Sequence, residues 1–582
     1  MKKSNIYNKV KRTAVIPIAS LLLPLSSLFF TSCGDFLEIE PQDKIVLEKF
    51  WNEKADVDNV LIGCYSAMQT ENVLDRLMVW GEFRSDNIEP GTNATDDVSL
   101  NRLINENIDA TNIYTTYDGL YGVINRLNTV LHYAPQVAAK DPAYTQTMLK
   151  ATEAEAKALR ALCYFYLIRT FRDVPFVTEA VIDDNQDVPM EASKFDDILN
   201  SLIADLEQVK GDAMITYPDN QALYQTGRIT QDAIHAMLCE MYLWKQDYQN
   251  CIKYADLVID AKKKVYDEKY KGYTMDTDDR LKGYPLELTR PSGYMYYGNE
   301  FFDLFGRSNS RVDRGSADEI IFELVFMEST TMNQNISVNR FYATGPKSNA
   351  ARGQVSPAAH LVIDENSSAN LFNKLDARYY EGLEPLGSKL YRVGKYVNRE
   401  VSINPISTTN IQVQYSFTQE PGHNHANWIV YRLTDIMLLK AEALVELGAD
   451  GSQELKDAFE LVQVVNNRAL MEQTLTQSLK EPTKQEDMRE LVLQERQREL
   501  LFEGKRWYDL VRRSLRDGNT DALTDAMSDK EMENSGPAMQ RLKKIDAIFL
   551  PYNLEETRVN TKLVQNPAFS SGENDSFAKT SK

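Results

Sequence analysis

The sequence has few of the residues on which metal and catalytic sites most often depend. Its 582 residues include five histidines and five cysteines, and no two cysteines stand in the CxxC spacing of a zinc or redox site. The motifs HExxH, GxSxG and GxGxxG are absent as well. The sequence therefore does not indicate a zinc peptidase, an α/β-hydrolase or a dinucleotide-dependent enzyme.

An excess of positive charge is also missing. The chain carries 85 acidic and 65 basic residues, for a formal net charge of −20. A polyanion of this size repels phosphate backbones and anionic lipid headgroups. The charge therefore argues against nucleic acid as a partner, and attachment to a membrane would need something other than a basic patch.

The N-terminus supplies a means of attachment. Residues 2–12 are basic and residues 14–30 are apolar. The apolar run is short for a membrane-spanning helix, and the two segments together have the layout of a secretory signal. Cys33 directly follows a small residue, as in a lipobox, where a signal peptidase cuts before the cysteine and lipid is added to it. We therefore predict a lipoprotein signal over 1–32 and a lipidated, acidic tether over 33–50. Ordinary cleavage that leaves a free thiol is the alternative.

The other cysteines, Cys64, Cys163, Cys239 and Cys251, stand in apolar helical contexts, which predicts small buried core residues. A disulfide between Cys239 and Cys251 across a helical hairpin is compatible with an oxidising compartment, but the sequence does not decide it.

Helical periodicity dominates the chain on both sides of a central region. The strongest pattern, 227–260, predicts two helices around the turn Lys245-Gln246-Asp247, with the length and plan of a tetratricopeptide hairpin. The central region, 265–427, is rich in Gly, Asn, Ser and Tyr, and 319–326 is its one clear strand. Further helices are predicted over 54–70, 111–134, 151–173, 191–209, 429–448, 455–470, 487–503 and 505–516, with a loop or short helix over 517–545.

We therefore predict a mainly α fold with few short strands. Residues 51–582 would form one globular unit with three parts: an N-terminal helical part over 51–264, a loop-rich insertion over 265–427, and a C-terminal helical part over 428–582. A loop-rich insertion of this size in a helical protein predicts that the ligand-binding region lies there.

Five stretches, in this order along the chain, resemble motifs of the SusD/RagB family of Bacteroidetes surface lipoproteins. Tyr552, Asn553 and Ala568 replace the residues usual at three positions of the last motif. The stretches are EAKALRALCYFYLIRTFRDVP (155–175), YRLTDIMLLKAEAL (431–444), VVNNRA (464–469), LQERQRELLFEGKRWYDLVRR (493–513) and FLPYNLEETRVNTKLVQNPAF (549–569).

The resemblance implies a right-handed superhelical body of tetratricopeptide-like hairpins, overlaid by an irregular region. It implies a lipid-anchored protein on the outer face of the outer membrane that binds oligosaccharides and passes them to a SusC-type TonB-dependent barrel. It implies no enzymatic activity and no cofactor besides the lipid on Cys33. Peptides in place of oligosaccharides, and a lipid-anchored hydrolase, are the alternatives.

Two segments carry the aromatic rings and planar polar groups that sugars need. The first supplies Trp80, Arg84, Asp86 and Asn87, and the second supplies Tyr294, Tyr296, Tyr297 and Asn299. We predict ligand contacts from both segments, with packing against the helical body as the alternative for each aromatic ring.

The acidic residues of the motif over 493–513 favour a structural role. Glu495, Glu499 and Glu503 recur once per helical turn among arginines, which suits ion pairs, whereas glycosidase carboxylates flank the bond from opposite sides. Asp183-x-Asn185-x-Asp187 and Asp276-x-Asp278 hint at structural calcium but lack the turn glycine and the closing glutamate. No metal site is predicted.

Overall fold

Most of the described chain is helical, because apolar residues recur three or four positions apart along long stretches of it. The computed structural model describes residues 50–182, 186, 190–269, 271, 281–286, 304–305, 319–326, 334–343, 353–367, 369–387, 390–397, 399–407, 410–417, 423–471 and 479–570.

The N-terminal part consists of helices that pack side by side. α4 and α5 form one antiparallel pair, with α1 against α4 and α6 against α5. The helices are α1 (Lys54–Met68), α2 (Glu71–Met78), α3 (Val98–Ile104), α4 (Asp118–Lys140), α5 (Gln146–Phe171), α6 (Phe195–Val209), α7 (Tyr224–Gly227), α8 (Gln231–Trp244) and α9 (Tyr248–Lys269).

The predicted hairpin over 227–260 is confirmed as α8 and α9. Thr230 caps α8 by accepting a hydrogen bond from the backbone N–H of Ala233, and the turn places Gln246 at φ 62°. The buried apolar side of the hairpin faces the C-terminal helices, because α9 packs against α12 (Leu433–Leu447).

The C-terminal part repeats the pattern of antiparallel neighbours, with α12 packed against both α13 and α14 in one apolar core. Its other helices are α13 (Gln453–Ala469), α14 (Gln485–Leu500), α15 (Arg506–Asp517), α16 (Asp521–Ser528), α17 (Ser535–Leu542) and α18 (Leu554–Val559). In the central region lie α10 (Ile336–Tyr342) and α11 (Ala377–Gly382).

Among the described residues, eight short strands pair in twos, each pair antiparallel: β1 with β3, β2 with β8, β4 with β5, and β6 with β7. They are β1 (Ile88–Pro90), β2 (Ile320–Leu324), β3 (Val355–Pro357), β4 (Leu383–Gly387), β5 (Leu390–Val393), β6 (Arg399–Ser407), β7 (Asn410–Phe417) and β8 (Trp428–Arg432). The mainly α prediction with few short strands is confirmed.

Three details of the prediction are wrong. The helix expected over 111–134 starts at Asp118, because residues 113–115 form a 3₁₀ turn capped by Asn112. The helix expected over 429–448 starts at Leu433, because Trp428–Arg432 form β8, which pairs with β2. The strand over 319–326 is accompanied by others in the central region, and β6 and β7 form its longest hairpin.

Helices long and apolar enough to cross a bilayer are not found in the described part of the chain.

Candidate functional site

A polar cleft opens in the central region of the chain. Its volume is about 510 Å³, inside the range of about 300–1,000 Å³ typical of small-ligand pockets. The irregular segment 363–376 forms most of its wall, and residues of α13 and α14 complete it. The polar residues that line it are Asp364, Glu365, Ser367, Asn370, Asn373, Lys374, Asp376, Asn466 and Arg498.

Local hydrogen bonds hold the rim of the polar cleft in shape. The Asn370 side chain accepts a hydrogen bond from the backbone N–H of Asp364 at 2.9 Å and donates to the carbonyl oxygens of Asp364 and Ser367. The Asp364 carboxylate accepts from the backbone N–H of Asn366. Asn and Asp side chains close turns in this way, so one side chain, that of Asn370, fixes the segment from 364 to 370.

The floor of the polar cleft rests on buried charges. The Arg498 guanidinium donates from Nε to Glu495 Oε2 at 2.9 Å, and Asn466 Nδ2 donates to the same oxygen at 3.1 Å. Arg378 joins Glu495 to Asp376, with Nη1 at 2.8 Å from Glu495 Oε1. Burial alone would raise the pKa of Glu495, but the guanidinium groups of Arg378 and Arg498 outweigh it and lower the pKa. The floor is therefore a network of paired charges.

The polar cleft presents hydrogen-bonding groups of both kinds over a small apolar surface. Asn370 and Asn373 supply planar amides, and Asp364 and Glu365 supply carboxylates. Phe372 is 3 % exposed and packs against Tyr379 at 5.9 Å between ring centroids, so it does not offer a stacking face. Such a lining suits a ligand rich in hydroxyl groups that is bound mainly by hydrogen bonds.

The structure places Trp80, Arg84, Asp86 and Asn87 inside the protein and not on a binding face. Each is at most 3 % exposed. Trp80 Nε1 donates to the carbonyl oxygen of Tyr114 at 2.7 Å. Arg84 Nε lies 2.8 Å from Glu106 Oε1, and the Arg84 guanidinium lies over the indole ring of Trp507. The alternative of packing against the body therefore applies to this segment, because partners elsewhere in the chain occupy its polar groups.

Further partners of this segment come from the motif over 493–513. Arg506 donates from Nε and Nη2 to the two carboxylate oxygens of Asp86, both at 2.8 Å. Gln497 donates to Asp86 and Asn87. We call the packing of residues 80–87 against residues 495–507 the buried junction.

Glu82 is the centre of the buried junction. Its carboxylate accepts hydrogen bonds from the backbone N–H groups of Phe502, Gly504 and Lys505 and from Asn87 Nδ2. Burial raises the pKa of Glu82 to about 7, and these hydrogen bonds oppose the rise. A carboxylate from a distant part of the chain thus holds the turn that precedes α15.

The remaining predicted site residues, Cys33, Tyr294, Tyr296, Tyr297 and Asn299, lie outside the described residues. The calcium candidates Asp183, Asn185 and Asp187, and those at 276–278, also lie outside the described residues.

Sequence reasoning did not single out the polar cleft, although it placed ligand binding in the insertion that contains it. The available signal was the run DENSSANLFN over 364–373, which concentrates amides, hydroxyls and carboxylates in one loop. Its floor could not be found in this way, since Asn466 and Arg498 come from other elements.

The carboxylates that could suggest a catalytic acid pair form ion pairs with arginine side chains. Glu499 accepts from Arg378, Arg432 and Arg468, and Glu495 from Arg378 and Arg498. Within the described ranges, no group of three or more His, Cys, Asp or Glu side chains is arranged to hold a metal ion.

Two family models match the chain. The model described as the SusD family matches residues 318–569, and the model described as starch-binding and associating with the outer membrane matches residues 35–243. Among curated proteins, SusD-like protein P38 of Formosa agariphila is 27% identical over 517 residues, 86% of this chain and 92% of that protein. SusD-like protein P25 of the same organism is 24% identical over 579 residues, 93% of this chain and 96% of that protein.

Solved structures share the fold. A SusD superfamily protein from Bacteroides thetaiotaomicron superposes with a TM-score of 0.62 at 20% identity, covering 89% of this chain and 99% of that one. A laminarin-binding SusD-like protein superposes with a TM-score of 0.58 at 20% identity, covering 89% of this chain and 100% of that one.

Proposed function

Because the chain belongs to the SusD/RagB family, we propose that it is a surface lipoprotein of the outer membrane that binds oligosaccharides and delivers them to a SusC-type TonB-dependent transporter. The observation that carries this proposal is the match to two models of one family over residues 35–243 and 318–569. The starch-binding description of one model and the laminarin-binding structural neighbour favour a glycan as cargo.

The polar cleft supports a hydroxyl-rich cargo. Its amides can donate and accept hydrogen bonds, its carboxylates can accept them, and its volume suits a few sugar rings. We propose that the protein binds and does not hydrolyse its cargo, since Glu495 and Glu499 are committed to arginines.

Attachment would depend on acyl chains on Cys33 after removal of residues 1–32. One acyl chain anchors a protein to a membrane only marginally, whereas several acyl chains make the attachment durable. The acidic tether over 33–50 would connect the anchor to the body. The predicted ligand contacts Tyr294, Tyr296, Tyr297 and Asn299 stay predictions.

Calorimetric titration tests the cargo. The purified chain is titrated with β-glucan and α-glucan oligosaccharides and with mixed peptides of similar size. Binding of at least one glycan is expected, and heat with peptides alone would reject the glycan cargo in favour of the peptide alternative.

Two single variants locate the site. Lys374→Ala and Glu365→Ala remove an exposed ion pair at the cleft, 2.7 Å between Nζ and Oε1, and we expect each to weaken glycan binding about tenfold, the loss of roughly one hydrogen bond to a charged group. Glu555→Ala removes a comparable exposed ion pair with Arg558 and serves as the matched control. Unchanged affinity in both cleft variants would place the glycan elsewhere.

Labelling cells with a fatty-acid analogue tests the anchor. Incorporation into the wild-type chain and not into Cys33→Ser is expected, and external protease should remove the wild-type chain from intact cells. Co-purification with a TonB-dependent barrel tests the partner, and a chain that survives external protease in intact cells would contradict the surface location.

A further inference from the structure

Two thiols face each other inside the helical hairpin. Cys239 on α8 and Cys251 on α9 each lie six positions from Lys245 in the turn, so the antiparallel helices bring them to the same height. Their sulfur atoms are 3.7 Å apart, and both side chains are fully buried. Cys251 Sγ also lies 3.8 Å from the carbonyl oxygen of Leu439 on α12.

The other two thiols in the described part of the chain are not arranged in this way. Cys163 Sγ contacts Met68 Sδ at 3.7 Å, and Cys64 is buried on α1. The contact between sulfurs at 239 and 251 is therefore a property of the hairpin and not of buried cysteines in general.

We infer that Cys239 and Cys251 form a disulfide in the exported protein and lock α8 to α9. The inference rests on the export that the proposed function requires, since disulfides persist in oxidising compartments. One S–S bond forms and two S–H bonds break. The two protons and two electrons pass to the disulfide of a thiol–disulfide oxidoreductase, whose S–S bond breaks to give two thiols. The sulfurs must approach from 3.7 Å to about 2.0 Å.

The bond must form before the hairpin packs into the body. Exchange needs a thiolate, and burial raises the pKa of Cys239 well above its usual value. α9 then packs against α12 and closes off the pair. The same burial protects the finished bond from reductants, so the lock is permanent in the folded protein and not a switch.

Peptide mapping tests the inference on the full exported chain. Membranes are solubilised in denaturant with an alkylating reagent and without reductant, and the chain is digested with trypsin. Cleavage after Lys245 puts Cys239 on peptide 229–245 and Cys251 on peptide 246–253. A linked pair of these peptides that disappears on prior reduction is expected.

Cys163, on peptide 161–169, and Cys64, on peptide 55–76, are the internal control. Both should be found alkylated. Alkylation of Cys239 and Cys251 in most molecules would overturn the inference, and so would links among all four cysteines in similar amounts, since these would show unspecific oxidation.

A stability measurement gives a second readout. Reduction during unfolding should lower the unfolding midpoint of the wild-type chain, because it removes the cross-link from the unfolded ensemble. It should leave the midpoint of Cys251→Ser unchanged. An equal effect of reductant on both would contradict the lock. Glycan titration of the same samples is independent, so failure of the disulfide and failure of the proposed cargo are separate results.

Discussion

The buried junction and the polar cleft are built from similar residues, but those of the junction are buried and those at the rim of the cleft are exposed. Both concentrate Asp, Asn and Arg side chains. In the buried junction, Asp86 meets Arg506 and Glu82 meets three backbone N–H groups. In the polar cleft, Asp364 and Glu365 are exposed at the rim.

The difference teaches that composition alone does not identify a binding face. A polar segment becomes a binding surface when the rest of the chain does not supply complementary groups, and becomes core when it does, because a buried polar group without a partner is costly. Asp86 and Arg506 are 420 positions apart, so this complementarity is invisible locally.

The largest effect is expected in the buried junction when its ion pair is broken. Asp86→Ala leaves the Arg506 guanidinium buried without its carboxylate, and a broken buried pair costs about 3–5 kcal/mol. Urea unfolding measures the loss. Glu555→Ala, at an exposed pair, should cost less than about 1 kcal/mol. Equal losses in the two variants would show that the buried pair does not hold the junction.

A smaller effect is expected where the two backbones of the buried junction touch. A Cβ at Gly81 would lie 2.0 Å from the carbonyl oxygen of Gly504, so Gly81→Ala must push the segments apart. Overpacking of this kind costs about 1–3 kcal/mol. Gly122→Ala in α4, where a Cβ meets nothing within 4 Å, is the control and should stabilise the helix by about 0.5–1 kcal/mol. Thermal or urea unfolding distinguishes the two, and a neutral Gly81→Ala would contradict the close approach.

The pH dependence of stability should also reflect the buried junction. Lys530 Nζ donates to the carbonyl oxygens of Phe83, Arg84 and Ser85, and burial lowers the pKa of Lys530 to about 8. Between this value and the usual 10.5, the unfolded chain binds the proton more tightly, so the Lys530 contribution should make stability rise with pH.

The gain from pH 8 to 9.5 should be about 1–2 kcal/mol, since one pKa unit corresponds to about 1.4 kcal/mol. Subtracting the profile of Lys530→Met removes the titration of the tyrosines from the comparison. Parallel profiles for the two proteins would show that folding does not lower the pKa of Lys530.

Sequence reasoning succeeded where partners are close along the chain. The hairpin of α8 and α9 follows from periodicity and a three-residue turn, and the interpretation of Glu495 as an ion-pair residue agrees with its pair with Arg498, three positions further along the same helix. It failed where partners are distant. Trp428 lies in a strand because β2, about a hundred positions earlier, pairs with it.

The same limit applies to the candidate site. The rim of the polar cleft depends on contacts within seven residues, from Asp364 to Asn370, and the run of polar residues there is visible in the sequence. The floor depends on Arg498, which contacts the carbonyl oxygen of Leu371 from 127 positions away. A pattern of residues cannot show such a contact.

The smallest effect on folding, and the sharpest contrast with the buried junction, is expected at Asn370. Asn370→Ala removes three hydrogen bonds near the surface, which water can replace, so the unfolding free energy should fall by no more than about 1 kcal/mol. Glycan affinity should fall much further, because the rim over 364–370 loses its fixed shape. Asn519→Ala removes a similar exposed turn contact, to the N–H of Asp521, and should change neither quantity appreciably. If Asn370→Ala weakened folding as strongly as Asp86→Ala while glycan binding persisted, the rim would be part of the core and the contrast between the two regions would be lost.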